Sequence, residues 1–180
     1  MYIDTIWQVI ITALAFFTLL SLILNIIIIK KLMDAKNQLS APTFNLSTFP
    51  AISAISLLDH SSIETKIHTP SALIFLATNC PKCKSKIEKI EKMTSSAHKH
   101  GVAVKIIIHN QMSDIERFFN RSSLIKDIWQ LSFDDYRTIN PLEISPAYLF
   151  VNEKSEIEGQ GMVDDESWHY FEQQILGNES

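Results

Sequence analysis

Cys80-Pro81-Lys82-Cys83 holds both cysteines of the 180-residue chain, spaced by two residues. Two thiols one helical turn apart can lie near the separation a disulfide needs, so the spacing points to dithiol–disulfide chemistry. The surroundings sharpen this. An apolar run, Ala72 to Ala77, ends just before Cys80, and a helix-like pattern begins at Cys83. The first N–H groups of a helix lack intrahelical partners, and they and the macrodipole favour a thiolate. Lys82 and Lys84 add positive charge. Pro81 suits the first helical position, where its missing N–H costs nothing. Cys80 is therefore expected to be the nucleophile and Cys83, one turn in and shielded, the resolving thiol.

Two other uses of the pair stay open on the residues alone. A soft metal ion needs more ligands than two thiolates. His98 and His100 fall near the far end of the expected helix, roughly 20 Å away at 1.5 Å per residue. A structural disulfide is the other alternative. No metal and no cofactor is expected. Four glycines in the whole chain leave no glycine-rich phosphate cradle, and neither G-x-S-x-G nor H-E-x-x-H occurs. A net charge of −4 provides no basic footprint, so nucleic acid is not an expected partner.

The elements that must position the cysteines follow from pattern. Ile52 to Leu58 and Ile63 to Ile67 read as arms of a hairpin, and Ala72 to Ala77 as a strand buried on both faces. Cys83, Ile87, Ile90 and Ala97 share a helical face, with Lys84, Glu88 and Lys92 on the outside at i,i+4 spacing. Val102 to Ile108 predicts a strand, Ser113 to Phe119 a helix opened by a Ser113–Glu116 capping box, and Ile128 to Phe133 a further strand. Ala147 to Val151 and Glu156 to Gly161 predict an antiparallel hairpin, followed by a helix capped by Asp164 and running to about Leu176. Strand–helix–strand followed by hairpin–helix predicts a mixed α/β sandwich.

The rest of the chain is an apolar preface. Thr5 to Ile29 carries no charge, has Tyr2 and Trp7 near one end and Lys30 and Lys31 at the other, and would span about 37 Å as a helix. It exceeds the apolar core of a cleavable signal, and its first charge is Asp4, so residues 1–31 are expected to be an uncleaved transmembrane anchor. Residues 32–42 read as a juxtamembrane linker ending at Pro42, and 43–180 as one domain. The lysines after the span favour a cytoplasmic C-terminal side by the positive-inside bias.

These residues resemble the thioredoxin-like, membrane-anchored redoxin family, which includes the cytochrome-maturation thiol reductases. Ala41-Pro-Thr-Phe-Asn-Leu46 resembles that family's opening strand, Leu73 through Lys84 its active-site strand and turn, Ser145-Pro146 its cis-proline, and Gly161-Met-Val-Asp164 its turn into the last helix. Cys-Pro-x-Cys-Lys, the lack of a tryptophan before Cys80 and the single-span start are most similar to the MauD-type methylamine-utilisation accessory proteins.

The resemblance implies a thioredoxin-like three-layer fold with a central mixed sheet, preceded by one transmembrane helix. It also implies thiol-disulfide exchange with a disulfide-containing protein client, here methylamine dehydrogenase undergoing maturation. Pro146 would face Cys80, and Pro81, Lys82, Ser145 and Pro146 would bind the client strand. A membrane or soluble thiol partner would recycle the pair, and lipid would hold the N-terminal helix. Such proteins sit in the inner or plasma membrane with the domain on the extracytoplasmic, periplasmic side, opposite to the lysine bias; disulfide handling belongs there. Two departures stand out. Ile74 occupies the position of the buried acid of many thioredoxins, and Asn79 that of the tryptophan before the first cysteine, which points to narrower client specificity.

Overall fold

The computed structural model describes residues 14–31 and 46–177. The expected linker over 32–42, Tyr2, Trp7 and residues 41–45 of the opening strand lie outside them. The chain divides into two units, Met1–Ala41 and Pro42–Ser180. In the first, helix α1 (Leu14–Lys31) is apolar and exposed throughout, and is long enough to cross a membrane as an anchor or signal helix. Thr18 and Asn25 return their polar atoms to the helix carbonyls of Ala15 and Ser21, as a polar group in an apolar surround must.

The second unit is built on seven strands, β1 (Ser53–Ser56), β2 (Ser62–Glu64), β3 (Ser71–Phe75), β4 (Ala103–Ile108), β5 (Ile128–Leu131), β6 (Ala147–Val151) and β7 (Ile157–Met162). They form one sheet in the order β2-β1-β5-β4-β3-β6-β7. β3 pairs parallel with β4, and β4 with β5; β1, β6 and β7 join antiparallel. The helices are α2 (Pro81–Lys99), α3 (Met112–Phe118), α4 (Phe133–Ile139) and α5 (Glu166–Leu176), with a 3-10 turn at Ser123–Asp127.

β3 shows why the sheet is covered on both sides. All five of its residues are buried, and alternate side chains enter different cores. Ala72, Ile74 and Leu76 pack with Cys83, Ile90 and Met93 of α2 and Trp168 and Ile175 of α5. Leu73 and Phe75 share the other core with Trp129 of β5 and with Tyr136 and Ile139 of α4. Burying each of Leu73, Ile74 and Phe75 stabilises the fold by about 1.5–3 kcal/mol before entropy. The strand is thereby fixed on both faces and ends at Phe75, just ahead of the turn that leads to Cys80.

Helix α2 follows its pattern. Cys83, Ile90 and Ala97 are buried and Ile87 half-buried, while Lys92 and Glu88 pair outside at 3.0 Å. Lys84 instead lies over the Phe118 ring, 5.7 Å from its centroid. The helix ends at Lys99, and the chain leaves it through Gly101, whose φ of +72° is the left-handed conformation glycine supplies without strain.

Three local expectations are corrected. The capping box at Ser113 is not formed: α3 begins one residue earlier, and the Gln111 carbonyl accepts from Asp114 and Ile115 N–H instead. The last helix is capped by Asp165, whose carboxylate accepts from Trp168 N–H at 2.8 Å; Asp164 has φ +86° and pairs with Lys86. The strand expected over 128–133 stops at Leu131, because Ser132 caps α4 by accepting from Asp135 N–H.

Candidate active site

Two loops and one helix end meet where β3 stops. The backbone turns from Ala77 to Cys80, whose N–H donates to the Ala77 carbonyl at 3.2 Å, and Asn110 Oδ1 after β4 holds Thr78 N–H at 3.2 Å. This delivers Cys80 as the N-cap of α2, with Pro81 starting the helix. The capping atom is the sulfur itself. Cys80 Sγ accepts the Cys83 N–H at 3.2 Å, the contact an N-cap oxygen makes in other helices.

Across from it, the loop between α4 and β6 brings Ser145 and Pro146 to the same place. The peptide bond between them is cis. The Cys80 thiol donates to the Ser145 carbonyl over 3.6 Å. Cys80 and Ser145 are half-buried, Pro146 is buried, and Pro81, Lys82 and Asn79 are exposed. Five of the residues expected from sequence, Cys80, Cys83, Pro81, Ser145 and Pro146, thus converge on one lip of the domain, and Lys82 stands on its rim.

The two thiols are free and have opposite electrostatics. Burial opposes ionisation at Cys80, but hydrogen bonds from Cys83, from the Ser145 side chain and from the Lys82 backbone outweigh it and hold the thiol below its ordinary value of 9.0. Lys82 acts here through its N–H. Cys83 has no exposed surface, and burial, together with the hydrogen bond and charge of Cys80, pushes its thiol up to about 12. Ile74, in the position of the thioredoxin acid, is wholly buried in the same core. In the core on the other face of the sheet the Tyr136 hydroxyl is raised to about 12, chiefly by burial and also by the charge of Cys83.

Sequence reasoning misses Asn110, Tyr136 and Asn140. Asn140 is wholly buried at the end of α4, and its carboxamide bonds to Tyr136 and to both backbone atoms of Ile144. Its only sequence signal is an asparagine five residues before a Ser-Pro step. Among the described residues, no group of three or more His, Cys, Asp or Glu is placed to hold a metal ion.

This lip, cysteine over cysteine beneath a cis-proline and at the end of the central strand, identifies the architecture. The chain has the thioredoxin-like fold. The thioredoxin domain of a thiol-disulfide oxidoreductase from Bacteroides vulgatus superposes with TM-score 0.60 at 17% identity, covering 76% of this chain and 99% of that one. A thiol:disulfide interchange protein DsbE from Chlorobium tepidum gives TM-score 0.61 at 14% identity over 74% and 96%. A secreted disulfide oxidoreductase of Mycobacterium tuberculosis, homologous to Escherichia coli DsbE, gives 0.54 at 13% over 71% and 96%. No protein-family model matches the sequence, and no curated protein matches it. The thioredoxin-like domain carries its C-x-x-C pair behind an N-terminal apolar helix, and the structural likeness is to thiol-disulfide oxidoreductases.

Proposed function

We propose that the chain is a membrane-tethered thiol-disulfide oxidoreductase acting on a protein client. The observation that carries this reading is the asymmetry of the pair: a half-exposed, acidified Cys80 capping α2 directly over a buried, protonated Cys83. The Cys80 thiolate attacks one sulfur of a client disulfide, that S–S bond breaks, and the other client sulfur leaves as a thiolate. Cys83 loses its proton and attacks the Cys80 sulfur, which releases the second client thiolate and leaves a Cys80–Cys83 disulfide. The client gains two electrons and the chain loses them. Run backwards, the oxidised pair gives its disulfide to a client dithiol, and a second thiol partner resets it.

Ser145 and Pro146 bind the client strand in this reading, opposite Cys80, with Pro81 and Lys82 forming the other wall. Helix α1 holds the domain at the inner or plasma membrane, residues 1–31 serving as anchor and 32–42 as linker, with the domain on the extracytoplasmic side. One of the superposed proteins is described as secreted. A narrower reading makes methylamine dehydrogenase the client, and Cys80 to Lys84 support it only through their resemblance to MauD-type proteins.

The test is capture. Cys83→Ser leaves the first step intact and blocks release, so it accumulates a mixed disulfide whose partner mass spectrometry identifies. A client-holding chaperone would mature its client normally with Cys80→Ser and trap nothing with Cys83→Ser. A metal carrier would bind copper or zinc through the reduced pair and lose it in either single mutant.

A further inference from the structure

We propose that Asn140 is a positioning residue for thiol exchange: its carboxamide fixes the loop that sets Ser145 and Pro146 against Cys80. This deepens the proposed function and rests on Cys80 being the attacking atom.

Asn140 lies at the root of that loop and has no solvent exposure. Its carbonyl accepts from Glu143 N–H at 2.9 Å, which turns the chain. Its side chain then takes Ile144 at both ends: Oδ1 accepts from Ile144 N–H at 3.1 Å, and Nδ2 donates to the Ile144 carbonyl at 2.9 Å. The remaining Nδ2 proton goes to the Tyr136 hydroxyl at 3.0 Å. The carboxamide thus acts like a neighbouring strand, pairing with one residue of a loop that has no strand beside it. A buried amide left without these partners would be strongly disfavoured, so the arrangement prefers one geometry.

The loop is held in a form it would not choose alone. Glu143, between the turn and the clamp, has φ +51°, the left-handed region a non-glycine residue occupies only when its surroundings over-determine it. The next residue after the clamp is Ser145. Its carbonyl meets the Cys80 thiol, and its side chain supports the Cys80 thiolate. Tyr136 anchors the far end of the clamp, its ring packed against Phe75 at 5.7 Å and His109 at 4.3 Å between centroids. The titratable groups facing one another here are few: Cys83 on α2 acts on Cys80, and the charge of Cys83 also bears on Tyr136 of α4. Glu143 acts on Tyr136 and is itself tied to Arg137. Rigidity in the loop therefore becomes chemistry at the sulfur, through a shared edge rather than through contact with Asn140.

The experiment uses the full chain in detergent, reduced, with Cys80 alkylation by iodoacetamide followed against pH by mass spectrometry. In Asn140→Ala the midpoint for Cys80 should move upward by about 0.5–1 unit, the loss of roughly one hydrogen bond to the thiolate. Exchange with a disulfide-bonded peptide should slow about 3- to 10-fold more than exchange with hydroxyethyl disulfide, which has no backbone to pair. Tyr136→Phe, which removes only the outer anchor, should shift both readouts the same way by less, and it decides the matter if Asn140→Ala does not fold. A folded variant with lowered melting temperature but an unmoved midpoint and an unchanged peptide preference overturns the proposal. Alkylation needs no client, so a chain whose midpoint moves as expected but which exchanges with no disulfide sinks the oxidoreductase reading and leaves the clamp standing.

Discussion

Cys80 and Cys83 are three residues apart on one helix turn, yet they belong to two regions of the molecule with different dielectric rules. Around Cys80 the first N–H groups of the helix turn to the sulfur at a half-buried lip, and hydrogen bonding to the charged form wins over burial. Cys83 is closed inside the apolar core that also holds Ile74, and burial wins. The difference teaches that a helix N-terminus activates a thiol only where the first turn reaches the surface; one turn deeper the same helix silences it.

Removing the exposed thiol should have the largest effect. Cys80→Ala is expected to lower the rate of iodoacetamide alkylation at pH 7 by about two orders of magnitude or more, since the remaining thiol is closed off and almost wholly protonated. Cys83→Ala should leave that rate within a few-fold of wild type. Peptide mapping after timed alkylation reads both.

The converse substitution strikes the deep region. Ile90→Ala should destabilise the domain by about 2–5 kcal/mol in urea unfolding while leaving Cys80 reactive in the folded fraction. A fall in Cys80 reactivity parallel to the loss of stability would show that the two regions are not separable.

Stability against pH separates the thiols by sign. A depressed Cys80 favours the folded state above its own folded value, and that contribution is lost as pH falls through it. Cys83 keeps its proton in the fold up to about 12, while the unfolded thiol ionises near 9.0, so the reduced chain loses stability as pH rises between them. Tyr136, raised from 10.0 to about 12, acts in the same direction. Melting temperatures of the reduced chain should therefore drop above pH 9 more steeply than those of Cys83→Ala. Parallel curves would count against a buried, protonated thiol.

Lys82 marks the small end. Its backbone, not its ammonium, enters the hydrogen bonding at Cys80, so Lys82→Gln should move the Cys80 alkylation midpoint by only about 0.3 unit or less, as expected of a screened surface charge.

The C-x-x-C turn is legible in the sequence because its cues are local: an apolar run, two thiols at fixed spacing and a proline where a helix can accept one. The buried strand β3 and the face of α2 are legible by periodicity for the same reason. Helix α4 is not, since Phe133-Asp-Asp-Tyr-Arg-Thr-Ile139 is short and follows an apolar run that reads as strand through Phe133. Its signal is Ser132 capping toward Asp135, the kind of cue that Ser113 offers falsely one helix earlier. Asn140 and Tyr136 matter through side-chain hydrogen bonds in an irregular loop and, for Tyr136, through ring packing on Phe75 and His109, none of which leaves a period in the chain.

The most direct test is a site-resolved pH titration of both thiols in the reduced full-length chain, each followed by its own alkylated peptide. The account requires Cys80 to titrate below 9.0 and Cys83 far above it, near 12. A Cys80 midpoint at or above 9.0, or a Cys83 that titrates first, would contradict it.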